Sequence, residues 1–339
     1  MSIQEESGYA TKNLSWVYSL GAKPVVLRKG ISLGVVGAVV SMSLALLGVS
    51  ERTATIAQTV PTPSPTENPI PSKPDVPYVP TPETVVTEML KLAGVSREDV
   101  VYDLGSGDGR LVISAVRDYG ARRGVGVDIN PGLVRLSNEN AQKAGVSDRV
   151  QFLQQDLFQT DLRDASVVTL YLLPEINLKL RPKLLNDLRP GTRLVSHAFT
   201  MGDWKPDKTI TVPASAGSSL PRNIYYWVVP ERVAGDWQGR VEFAPGRSQP
   251  YTLRFTQQFQ QVKGDAIADG KKYSIPNITL AGDQLTFSRA EKIQGQQGAI
   301  QFKGRIEGDT LKGTASVKWG PLARNFPIVA KRSTQAAKW

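Results

Sequence analysis

Between residues 82 and 230 the apolar positions form short blocks of two alternating kinds. Val85, Val86, Met89, Leu90 and Leu92 recur at helical spacing between Pro82 and Gly94, and a proline start with a glycine stop predicts a helix. The stretch DVVYDLG then runs apolar like a strand buried on both faces, and RLVISAVRDYG returns to helical spacing until glycine closes it. GVGVDI is a second strand, uncharged until its final aspartate. The pattern continues with a helix in PGLVRLSNENAQKAG, strands in VQFLQQD and ASVVTLYLL, a helix in EINLKLRPKLLNDL and a strand in TRLVSHAF. TITVP and RNIYYWVVP follow with no helix between them, which predicts a terminal antiparallel hairpin. Strands alternating with helices make the fold class α/β, with a parallel sheet covered on both faces.

From Gly235 onward the period changes to two. Leu285 and Phe287, then Phe302, Gly304 and Ile306, then Leu311, Gly313, Ala315, Val317 and Trp319 alternate with polar residues, and turn signals recur at ADG, AGD and EGD. An all-β antiparallel meander is expected, closed as a small barrel or left as a curled sheet. GDWQGRVEF and GRIEGDTLKGTASVKW resemble each other, each a glycine-bearing strand with a tryptophan.

Ile31 to Ser50 is a run of twenty residues without a charge, about the length needed to cross ~30 Å of hydrocarbon. It is read as a transmembrane helix, with a cleaved secretory signal, marked by the small residues Thr55 and Ala57, as the rival. Proline then dominates to residue 76, which predicts an extended spacer. The expected organisation is a polar segment at 1–30, a span at 31–50, a linker at 51–76, an α/β domain at 77–232 and a β-rich domain at 233–339.

The chain has 339 residues, no cysteine and one histidine, His197, which excludes disulfides, thiolate nucleophiles and sulfur-built zinc sites and leaves no metal centre to expect. The net charge of +10 divides as +1 over residues 1–76, +1 over 77–232 and +8 over 233–339. In that last segment the cations stand singly, as on a solvated face, so no nucleic acid is expected as partner; an anionic membrane surface stays open.

The turn after the first strand of the α/β domain, DLGSGDGR at 103–110, carries the chemistry. In an open parallel sheet the ligand sits beyond the carboxyl ends of the strands, and Gly105, Gly107 and Gly109 let backbone approach it closely. A dinucleotide fingerprint would place its third glycine at position 110, which holds arginine, and Asp103 and Asp108 would repel a pyrophosphate. Two carboxylates argue instead for a ligand with positive charge, an amine or a sulfonium. Asp128 ends the second strand, where it can accept both hydroxyls of a ribose, and Asp156 follows the third.

Taken together, D-x-G-x-G-x-G after one strand, an acidic residue ending the next and another after the third resemble the class I methyltransferases that use S-adenosylmethionine. The resemblance covers residues 76 to 230 and implies a Rossmann-like sheet. It implies that Asp103, Gly105 and Gly107 line the methionine portion, that Asp128 holds the ribose, that Asp156 with Leu157 meets the adenine, and that Ser106 and Ile129 also contact the cofactor. PYVPTP ahead of the first helix, YDLGSGDGR, DLF and the upstream apolar run are similar to the membrane-anchored protein-lysine methyltransferases of the mitochondrial type and their bacterial relatives. In that group the segment matching Pro77 to Thr81 folds over the cofactor, so Tyr78, Val79 and Thr81 are implied contacts. The implied acceptor is a protein lysine near the membrane; a small-molecule acceptor is the alternative, as is a non-catalytic nucleoside-binding module whose β-domain engages a partner.

Methyl transfer requires an in-line approach of a neutral lone pair, with water excluded. The acceptor is expected at the end of the fourth strand, where Tyr171, Pro174 and Glu175 are the candidate catalytic residues. Tyr171 is equally readable as a buried strand aromatic, and Glu175 as a charge favouring the next helix's N-terminus. His197 either borders the acceptor or is a strand histidine, and Trp204 either caps the pocket or packs beneath a loop. Lys23, Arg28 and Lys29 before the apolar run would keep the N-terminus inside and send the rest across, whereas the methyl donor is made inside. The expectation is a single-pass membrane protein with a cytoplasmic catalytic domain.

Overall fold

The computed structural model describes residues 77–214, 220–244, 246–268, 270–293 and 296–333. The expected span at 31–50, its rival cleavage site and the linker at 51–76 lie outside the described residues. Among the described residues no helix is long and apolar enough to cross a membrane.

The first sheet has seven strands: β1 (Val100–Leu104), β2 (Arg123–Asp128), β3 (Val150–Gln154), β4 (Val167–Leu170), β5 (Arg193–His197), β6 (Lys208–Val212) and β7 (Arg222–Val228). Their order is β3-β2-β1-β4-β5-β7-β6. The first five strands run parallel, and β7 lies antiparallel to both β5 and β6. The expected Rossmann-like sheet with a terminal antiparallel pair is therefore the observed one. The order reverses at β1, which brings the turns after β1 and β4 to a common crevice.

Among the described residues four helices cover the sheet: α1 (Glu83–Ala93), α2 (Arg110–Arg117), α3 (Pro131–Lys143) and α4 (Pro174–Asp187). Helix α1 starts after Pro82, stops at Gly94 with φ +60°, and buries Val85, Val86, Met89 and Leu90. Along β1, Val100, Tyr102 and Leu104 face one core layer with Leu180 and Leu184 of α4, while Val101 faces the other with α1 and α2. Fully buried aliphatic side chains of this size each contribute about 1.5–3 kcal/mol. At the opposite end of β1, the buried Asp99 pairs with Arg193 of β5 and accepts from Ser166 Oγ at 2.7 Å.

The second sheet has nine strands, all antiparallel: β8 (Gly235–Ala244), β9 (Arg247–Gln258), β10 (Gln261–Ala268), β11 (Lys271–Ile275), β12 (Thr279–Ala281), β13 (Gln284–Ile293), β14 (Gln296–Glu307), β15 (Thr310–Trp319) and β16 (Leu322–Arg332). The order is β11-β10-β9-β8-β16-β15-β14-β13-β12, so the edge strands are two consecutive segments of chain. The sheet is a curled half-barrel, the open form of the two that the alternation allowed. Its inner face buries Trp237, Leu253, Phe255, Phe302, Ile306 and Leu311. The Arg332 guanidinium lies 4.2 Å from the Trp237 ring centroid and donates to Ala234 O at 2.7 Å. Exposed Lys303 and Lys318 stand on the outer face.

Candidate active site

Beyond the carboxyl ends of β1, β2 and β4 lies a cavity of about 570 Å³, within the range of about 300–1,000 Å³ typical of small-molecule sites. Its floor is the turn 105–109. Gly105, Gly107 and Gly109 have φ of +80°, +55° and +80°, which side chains other than glycine rarely adopt. The turn is held by backbone bonds from Gly105 N and Ser106 N to Val127 O, at 2.8 and 2.9 Å. Asp128 fastens it from the next strand: Oδ2 accepts from Gly107 N and Oδ1 from Asn130 N, each at 2.9 Å. The two expected contact groups are thus one hydrogen-bonded unit.

A Cβ added to Gly107 would lie 2.5 Å from Tyr78 Cε2, because the Tyr78 ring rests on the turn. Segment 77–81 is held in place by Arg110, which donates to Thr81 O at 2.9 Å and to Asp108 Oδ2 at 2.6 Å. Burial pushes Asp108 up, but the bonds and charge of Arg110 outweigh it and hold its carboxyl below the usual range. Asp108 and Arg110 neutralise each other, which leaves Asp103 and Asp128 as the carboxylates of the floor. Asp103 is fully buried and pushed up to about 7, first by desolvation and then, against the bond from Thr169 Oγ1 at 2.6 Å, by the charges of Asp128 and Asp108.

Asp156 shapes the far wall by accepting from Phe158 N at 2.8 Å, and Leu157 and Phe158 line the cavity beside it. Of the residues singled out in the sequence, Tyr78, Val79, Thr81, Asp103, Gly105, Ser106, Gly107, Asp128, Ile129, Asp156, Leu157 and Tyr171 all border this one space. Pro174 and Glu175 do not. The chain leaves β4 at Leu170, earlier than the apolar run suggests, and Pro174 and the exposed Glu175 begin α4 outside the lining. Glu175 is an acidic residue in the first turn of that helix, a favourable interaction with its dipole.

His197 is fully buried behind the wall, its ring centroid 3.9 Å from that of Tyr171 and its Nδ1 3.4 Å from Thr81 Oγ1. Burial, with the charge of Arg222, lowers it to about 4, so it is a neutral packing residue near pH 7. Trp204 is also fully buried, packed under the loop after β5 rather than capping the cavity. Phe199 lines the cavity with its ring stacked 6.3 Å from Tyr171. It follows Ala198, whose φ of +66° turns the chain just past β5, and no periodicity in the sequence marks it.

The cavity suits S-adenosylmethionine on this chain's own evidence. Ser106 Oγ is buried without a partner among the described residues, the glycine turn leaves no Cβ in the way, and the buried Asp103 with the half-buried Asp128 favours a cationic ligand. Fold and site define a class I S-adenosylmethionine-dependent methyltransferase. Residues 103–208 match the ANTKMT methyltransferase domain. A protein-lysine N-methyltransferase of Saccharolobus islandicus is 44% identical over 158 residues, 47% of this chain and 96% of the relative. The adenine nucleotide translocase lysine N-methyltransferase of Mus musculus is 37% identical over 40% of this chain and 59% of its own length. A solved RNA methyltransferase of Salinibacter ruber, in complex with S-adenosyl-L-homocysteine, is 54% identical over 46% of this chain and 96% of that one, with a TM-score of 0.42. The chain belongs to the protein-lysine methyltransferase family that carries the ANTKMT-type domain. The matched domain ends at residue 208, ahead of the second sheet.

Proposed function

We propose that this enzyme methylates the ε-amine of a lysine in a protein acceptor. The observation that carries the reading is a single cavity whose floor is built for a cationic nucleoside donor and whose opposite wall is the aromatic pair Tyr171 and Phe199. The lysine relatives support the choice of acceptor. When bound, S-adenosylmethionine supplies an electrophilic methyl group on a positively charged sulfur. Asp103, Gly105, Ser106 and Gly107 hold the methionine end, Asp128 and Ile129 the ribose, Asp156 and Leu157 the adenine, while Tyr78, Val79 and Thr81 cover it. Tyr171 and Phe199 exclude water and align the amine, which arrives neutral by losing its proton to solvent. No carboxylate of this wall acts as base, since Glu175 stands outside it.

The domain limits at 77–232 and 233–339, and a membrane anchor at 31–50 with the catalytic domain in the cytoplasm, complete the proposal. The uncharged run of twenty residues supports the anchor. The test is transfer of labelled methyl from S-adenosylmethionine to protein, followed by hydrolysis and amino-acid analysis. Label in methyl-lysine is expected; label confined to a small molecule would overturn the acceptor. Protease added outside intact cells is expected to leave residues 77–339 whole, and their removal would reverse the orientation.

A further inference from the structure

The tip of one hairpin of the second sheet reaches the loop after β5 of the first. Between β9 and β10 the chain turns at Phe259 and Gln260, with Phe259 at φ +54° and its carbonyl accepting from Gln257 Nε2 at 2.7 Å. The same Gln257 donates to Glu231 O at 2.9 Å and accepts from Val233 N at 2.7 Å, so the hairpin is locked to the connection between the sheets. Gln260 Oε1 accepts from Trp204 Nε1 at 3.0 Å, and Gln260 Nε2 donates to Lys205 O at 2.7 Å and Asp207 Oδ1 at 3.1 Å. The Phe259 ring stacks 5.8 Å from Trp204 on one side and receives the Arg181 guanidinium at 5.2 Å. Arg181 in turn donates to Met201 O at 2.7 Å. Trp204, Lys205, Asp207 and Met201 lie on the loop 201–207, which begins two residues beyond Phe199 in the cavity wall, and Arg181 lies on α4.

We infer that Phe259 and Gln260 are positioning residues for the methyl acceptor, holding the loop 198–207 so that Phe199 closes the cavity against Tyr171. The inference rests on the lysine-acceptor reading and gives the half-barrel a role in it. The donor floor, built from β1, β2 and segment 77–81, has no contact with the tip among the bonds described. A polar tip that satisfies a buried indole N–H also carries a geometric demand, because losing it leaves that donor unpaired. Ala198 meanwhile holds a left-handed backbone angle, a conformation that persists only where the surroundings enforce it.

The test compares full-length Phe259→Ala, Gln260→Ala and Phe259→Tyr with the parent chain, using poly-L-lysine as acceptor probe. The two alanine variants are expected to raise the acceptor KM at least fivefold, to leave S-adenosylmethionine affinity within twofold, and to increase amide hydrogen exchange across 198–207 but not across 103–110. Phe259→Tyr, which keeps the stack, is expected to behave as the parent. Unchanged exchange at 198–207 in both alanine variants overturns the inference, as does a loss of donor affinity equal to the loss of acceptor. If the parent binds donor but leaves poly-L-lysine unmethylated, that counts against the lysine reading, and the exchange comparison still decides the hairpin. Should Phe259→Ala fail to fold, Gln260→Ala, which removes no apolar packing, carries the same readouts.

Discussion

Asp128 closes the glycine turn of the neighbouring strand: its Oδ2 accepts from Gly107 N at 2.9 Å while its Oδ1 caps Asn130 N. One carboxylate therefore sets the shape of the floor and also lines the cavity. Asp128→Ala is expected to weaken S-adenosylmethionine at least tenfold, about 1.4 kcal/mol, while the folded state survives. Calorimetric titration together with a thermal melt measures both; full affinity in the variant would remove Asp128 from the site.

Donor binding is expected to depend on pH through Asp103. Its folded pKa, about 7, is raised above that of the unfolded chain by burial, so it contributes stability that is fully present below about pH 4 and lost as pH rises through 7. A cationic donor favours the ionised form, so affinity should increase between pH 6 and 8 and binding at pH 6.5 should release protons. Titration in two buffers of different ionisation enthalpy reads that release. Asp103→Asn should abolish it, and an equal release in this variant would place the proton elsewhere.

The aromatic wall is expected to matter through its faces. Tyr171 is packed between the neutral His197 and Phe199, at 3.9 and 6.3 Å between centroids. Tyr171→Phe should keep kcat/KM for the acceptor within about threefold, and Tyr171→Ala should lower it more than about tenfold with donor affinity retained, because only the second opens the wall to water and misaligns the amine. A large loss with phenylalanine would give the hydroxyl a direct role.

Glu175→Gln is expected to leave turnover within about twofold, since the residue is exposed on the first turn of α4, and to cost about 0.3–1 kcal/mol of stability through the helix dipole. Steady-state kinetics and urea melts separate the two effects. A hundredfold fall in kcat would return Glu175 to the chemistry.

Far from the cavity, the buried Asp99 is pushed up by desolvation but held below the ordinary range overall by the Ser166 hydroxyl, the Ser96 amide and Arg193. Its contribution is present above about pH 4 and is lost as pH falls through that depressed value. Asp99→Asn should cost about 3 kcal/mol, because Arg193 is left without its counter-charge, and should flatten the acid limb of the stability profile. Melts between pH 2 and 7 test it.

Local pattern carried a great deal of this protein. A continuous apolar run ending in aspartate, then glycines, then helical spacing, is a short-range signal, and a parallel sheet brings every such strand end to one edge. That is why Asp103, Gly105, Gly107, Asp128 and Asp156 could be read together before any coordinates, and why period two from Gly235 onward announced the second sheet. The same logic failed at Pro174 and Glu175, because the apolar run from 165 to 173 does not show where strand β4 stops and the chain turns outward.

What the tertiary structure alone decided lies in contacts between distant segments. Tyr78 rests on Gly107, Phe199 enters the wall because of one left-handed backbone angle at Ala198, and Gln260 reaches Trp204 across 56 positions of sequence. No periodicity encodes such pairs. They are fixed by how two sheets pack, where side-chain shape and the demand that buried polar groups find partners choose among arrangements that local pattern leaves equal.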